Sequence, residues 1–135
     1  MSINKLDIEK HINKRTDTIV NLHKMAISSG FQLDGHDNNC LERAAYALRK
    51  AGVKDISEAD EFASKNEDLL RDFFHKLRAQ SGKGWLVTLP FLYELVAIIR
   101  EPSIFNEEYK KICNWEPDGA EMMDAALKGV ERHRA

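Results

Sequence analysis

The chain has 135 residues, 43% of them hydrophobic and 31% charged, with a formal net charge of −2. A length in the ~100–150 residue range is that of a single domain, here 1–135, which can bury a core without disulfides or metal, and the apolar content excludes disorder. A charge so near neutral excludes a global pull toward nucleic acid or anionic membranes, so either partner would need a local patch.

Residues 6–29 predict one long first helix, because Ile8, Ile12, Ile19, Leu22, Met25 and Ala26 recur at the threes and fours that line one helical face. Gly30 is a natural stop. FQLDGHDNN, residues 31–39, reads as a turn rich in Asp, Asn and Gly, with Asn39 and Glu42 resembling a capping box for the next helix. That helix, CLERAAYALRKAG, points Leu41, Ala44, Ala45 and Leu48 inward, and its alanines predict close approach to a neighbour. Gly52 ends it.

Ser57 is expected to cap a short helix, SEADEFASK, and Asn66 the following one. In the latter, Leu69, Leu70, Phe73, Phe74 and Leu77 form a continuous stripe. Glu67 and Asp68 at its start, with Lys76 and Arg78 near its end, suit the helix dipole.

SGKG at 81–84 breaks that helix and opens the most apolar stretch of the chain, WLVTLPFLYELVAIIR. Residues 89–100 predict a helix that is hydrophobic on all sides, with Pro90 tolerated in the first turn. Such a helix must be covered by others, and it is shorter than the ~20 apolar residues that span a bilayer. A short strand at 85–89 would need a partner, and no second strand is evident. Ser103 is expected to cap SIFNEEYKKICNW, and Asp118 with Glu121 to open a last helix burying Met122, Met123, Ala126, Leu127 and Val130. The fold class that follows is all-α: six or seven helices around the 89–100 helix.

Chemistry is sparse by comparison. The two cysteines, Cys40 and Cys113, are too few for a disulfide scaffold, and the charged opening MSINKLDIEKHINKR lacks the apolar core of a signal peptide. A cytoplasmic setting with reduced thiols is expected. His36 and Cys40 stand near a helix start, which favours a thiolate, but no glycine-rich oxyanion element follows. The five histidines are scattered, no metal-ligand spacing occurs, and SGKG lacks the strand and the Ser or Thr of a phosphate loop, so no cofactor is implied.

Local charge is more informative. Residues 73–93 hold Lys76, Arg78 and Lys83 with no acid, beside Trp85, a combination able to grip a nucleic-acid backbone and stack a base. Residues 55–72 hold seven acids, Glu58, Asp60 and Glu61 among them, against two bases, and residues 101–121 add six acids against Lys110 and Lys111. An acidic face of this kind steers a basic protein partner. The leading expectation is a non-enzymatic protein that binds another protein, in an inhibitor, immunity-type or adaptor role. A nucleic-acid-binding accessory protein and a cysteine-dependent enzyme at His36/Cys40 are the alternatives.

Glu94 is the only charge between Leu89 and Ile99. An isolated buried carboxylate is costly, so Glu94 is expected to be neutral, paired or within reach of water. The simplest arrangement puts it on the least-covered side of the helix against a backbone donor or a cation from another helix, with a raised-pKa general acid as the functional alternative.

Overall fold

A computed structural model describes residues 3–14, 17–28, 32–33, 38–81 and 86–134. In chain order the elements are α1 (Lys5–Lys14), α2 (Asp17–Ser28), β1 (Gln32–Leu33), α3 (Asn38–Lys50), α4 (Ile56–Lys65), α5 (Glu67–Ser81), β2 (Leu86–Val87), α6 (Leu89–Arg100), α7 (Glu107–Ile112) and α8 (Pro117–Arg134), with a 3-10 turn over Pro102–Ile104. The fold is all-α, as the periodicity requires.

Every residue of α6 from 90 to 99 is buried, so the all-round hydrophobic helix is covered on every side. Thr88 caps it by accepting from the Phe91 amide at 3.2 Å, and Pro90 sits in the first turn, where it interrupts no helical hydrogen bond. Its main neighbour is α3, whose Ala44, Ala45 and Ala47 are buried and let the two helices approach closely. The other close pair is α5 with α8, joined by Phe73, Phe74 and Leu77 on one side and Met123, Ala126 and Val130 in the same core. Gly52 ends α3 with φ +76°, a left-handed conformation that glycine adopts without strain. The Val53 amide then closes back on Leu48 at 2.9 Å.

Several local expectations are corrected. Within the stretch read as one helix the described residues form two helical segments, α1 and α2, and residues 15–16 between them lie outside the described residues. The strand at 86–87 does have a partner: Gln32 pairs with Leu86 and Leu33 with Val87 in a parallel register. Two residues are too few to show an alternating pattern. Asn39 lies inside α3 rather than before it.

Caps shift by short steps elsewhere. Asp55, not Ser57, caps α4, accepting from the Ser57 amide at 2.9 Å. Asn66 precedes α5, but its side-chain amide donates back to the Phe62 carbonyl at 2.8 Å and so closes α4. Asn106, not Ser103, caps α7, and α8 begins at Pro117, one residue ahead of Asp118. At the starts of α4 and α7 the sequence offers two capping side chains a few residues apart, Asp55 and Ser57, and Ser103 and Asn106.

Ile99 lies fully buried in α6. Ile99→Ala is expected to cost about 2–5 kcal/mol in urea denaturation, the range for emptying a buried branched side chain. An unchanged midpoint would mean that this side of α6 is not packed.

Candidate functional site

The carboxylate of Glu94 has no exposed surface and is enclosed by three side chains from outside α6. Arg43 of α3 places Nη2 3.0 Å from Oε1 and donates from Nε to Oε2 at 3.2 Å. Tyr109 of α7 donates its hydroxyl to Oε2 at 2.5 Å, and the Trp115 indole donates to the same oxygen at 3.4 Å. Oε2 thus carries the aligned hydrogen bonds, while Oε1 is held by the nearness of the guanidinium charge. The Arg43 guanidinium in turn lies 4.8 Å from the Trp115 ring centre and 5.6 Å from that of Phe91. Trp115 meets Phe105 edge-on at 4.9 Å.

Burial pushes the Glu94 carboxyl above its ordinary range, opposed by the Arg43 charge and the three donors. Burial and the Glu94 charge together raise the Tyr109 phenol far above its usual value, so it stays a donor. Cys113 is buried beside them, and burial followed by the Glu94 charge pushes its thiol up. A thiolate nucleophile needs the reverse.

Local sequence sets Tyr109 and Trp115 in place. Asn106 accepts from the Tyr109 amide at 2.9 Å, which fixes the first turn of α7. Asn114 follows α7 with φ 55°, and the Asn114 and Trp115 amides close back on Lys111 at 3.2 Å and Lys110 at 2.9 Å. This is a Schellman turn, and it aims Trp115 back under α7 at Glu94. Lys110 then joins α7 to α8, donating to Asp124 at 2.7 Å and to Glu107 at 3.3 Å. Burial works against the charged amine, but those two carboxylates outweigh it and raise the Lys110 pKa.

The acids singled out in the 55–72 stretch all have partners within the fold. Glu58 meets Arg100 at 3.7 Å and accepts from the Lys54 amide at 3.2 Å. Asp60 bonds His11 of α1, whose ring also lies edge-on to Tyr93 at 5.8 Å. Glu61 bonds Lys65 at 2.8 Å, which lowers its pKa. Asp68 and Asp72 meet Arg71 and Lys76 at 3.2 and 3.7 Å.

Of the basic stretch, Lys76 is half-buried, and its stem lies so close over Gly129 of α8 that a Cβ there would collide with it. Arg78 is half-buried. Lys83 and Trp85 lie outside the described residues, as do His36 and the side chain of Cys40. Among the described residues no group of three or more His, Cys, Asp or Glu comes together, and no described helix is long and apolar enough to cross a membrane.

No protein-family model, curated protein or solved structure matches this chain. The site is therefore read from geometry alone. The surface above the Glu94 cluster has a different character from the 55–72 stretch. On α7 and the start of α8, Glu108, Glu116, Asp118 and Glu121 are exposed and have no side-chain partner among the described residues. Ile112 is 55% exposed on the same short helix.

The sequence flagged Glu94 and its need for a cation, and the six acids of 101–121, but not Arg43, Tyr109 or Trp115 as its partners. Arg43 is 51 residues away in the chain, and no spacing reports such a pairing.

The Glu94 carboxyl is raised in the folded state, so it contributes most stability at acid pH and loses it as pH rises through the folded pKa. Arg43→Met removes the charge that opposes that rise. The variant is expected to lose about 3–5 kcal/mol near neutral pH, because it leaves a buried carboxylate without its cation. The deficit should shrink as pH falls through the raised folded pKa of Glu94, above the ordinary carboxylate range, because Glu94 then takes up a proton. Urea titrations of wild type and variant across pH check this, and a deficit independent of pH would contradict it.

Proposed function

We propose that this protein acts without catalysis in the cytoplasm, by binding another protein. The observation supporting this reading is the α7–α8 surface. It joins half-buried Trp115, Pro117 and Ala120 with four carboxylates that have no side-chain partner among the described residues. An anchored aromatic with an apolar neighbour and a charged rim is the composition of a protein-binding patch. The reactive side chains inside the fold speak for the same reading. Glu94 is enclosed by its donors, and Cys113 is buried with a raised pKa.

Glu58, Asp60 and Glu61 would have to release Arg100, His11 and Lys65 before they could pair with a partner. The α7–α8 acids carry no such penalty. For nucleic acid, Lys76 offers an amine already 3.7 Å from Asp72 on a stem packed against α8.

Affinity capture from the source cell, with the eluate resolved by mass spectrometry at low and high salt, tests this reading. A single protein held in near-stoichiometric amount and released as salt rises is the expected result, since exposed charges are screened. Recovery of the chain alone, or with nuclease-sensitive nucleic acid, would overturn it.

A further inference from the structure

Between α7 and the start of α8 runs a groove whose floor is Trp115, Pro117 and Ala120. It continues along α8 past Glu121 and Asp124. Its two adjoining sections measure about 540 and 630 Å³ and share Glu107, Lys110, Pro117 and Ala120. The floor is held from below, because Trp115 is fixed by its bond to Glu94, its contact with Arg43 and the Schellman turn. A rigid floor loses little freedom when something docks on it.

The charge around this groove is uneven. Its lining holds Glu107, Glu108, Glu121 and Asp124 against Lys110, Lys111 and Lys128, a net of −1, and Glu116 and Asp118 just outside it bring the 107–128 stretch to −3. Lys110 is already shared between Glu107 and Asp124, which leaves Glu108 and Glu121 of the lining without a side-chain partner among the described residues, beside Lys111 and Lys128. Elsewhere on the surface the acids of α4 and α5 are mostly paired internally. Glu108 and Glu121 thus stand at the rim of an apolar floor.

Building on the protein-binding reading above, we propose that the α7–α8 groove docks a basic segment of the partner protein. An apolar side chain of that segment rests on Trp115, Pro117 and Ala120. Its lysines or arginines meet Glu108 and Glu121 at the rim, with Glu116 and Asp118 adding to the attraction. The rim charges act mainly on association, and the apolar contact sets the register.

The probe is a short fluorescein-labelled peptide of lysines and leucines, read by anisotropy against the full chain, with glutamate-for-lysine and serine-for-leucine versions as comparisons. Wild type should bind the lysine–leucine peptide, bind the serine version more weakly and ignore the acidic one. Glu108→Lys with Glu121→Lys should weaken binding about tenfold. Glu67→Lys with Asp68→Lys, the same charge change on α5, should weaken it less than about twofold. Both pairs sit at exposed positions, and unchanged melting midpoints establish that each variant folds.

Equal weakening by the two pairs, or equal binding of the serine and leucine peptides, would overturn the groove assignment. A captured partner whose binding is untouched by the Glu108/Glu121 reversal would overturn it too, while leaving the protein-binding reading in place. Absence of any captured partner removes that reading and this inference together.

Discussion

The structure depends on how it accommodates one charge, the carboxylate of Glu94, within its most apolar helix. An ionised carboxylate taken out of water without compensation costs several kcal/mol, and attraction to a single cation repays this only when geometry is good and the remaining lone pairs are bonded. Here the compensation comes from three different elements: Arg43 of α3, Tyr109 of α7 and Trp115 beyond α7. Satisfying the charge therefore fixes where α3 and α7 sit relative to α6. A hydrophobic residue at the same position would pack, but it would not specify which side chains meet it.

That constraint passes outward in short steps. Tyr109 can reach Glu94 only if α7 starts where Asn106 caps it, and Trp115 only if the chain turns at Asn114. Lys110, between them, points the other way and ties α7 to α8 through Asp124. A six-residue helix has little stability of its own, since a helix that short barely covers its nucleation cost. α7 is held by what it bonds to, and the surface it presents inherits that order. The groove floor at Trp115 is the outer end of the same network that begins at Glu94.

Much of the fold was legible because its signals are local. The stripe of Leu69, Leu70, Phe73, Phe74 and Leu77 on α5 and the apolar run of α6 are each readable from a few turns of sequence, and all but the half-buried Leu89 are buried. Boundaries failed where two capping residues competed, as at Asp55 and Ser57. The β1–β2 pairing was hidden because two residues carry no period. The candidate site was only half legible. Glu94 announced a missing cation, yet choosing Arg43 over the other cations requires knowing that α3 packs on α6. The 55–72 acids looked like the strongest patch by count, but count does not reveal that Arg100, His11 and Lys65 already answer them.

The central claim is that Arg43 and Glu94 act as one unit that organises the helices around α6. A double-mutant cycle combining Arg43→Met with Glu94→Gln, read by urea denaturation near neutral pH, tests it most directly. The Gln side chain still accepts from Tyr109 and Trp115, and it leaves no charge behind. The double variant is expected to be more stable than Arg43→Met alone, with a coupling of about 1–3 kcal/mol, as for residues in direct contact within one network. Losses that simply add would contradict the claim and would mean that each residue stabilises the fold independently of the other.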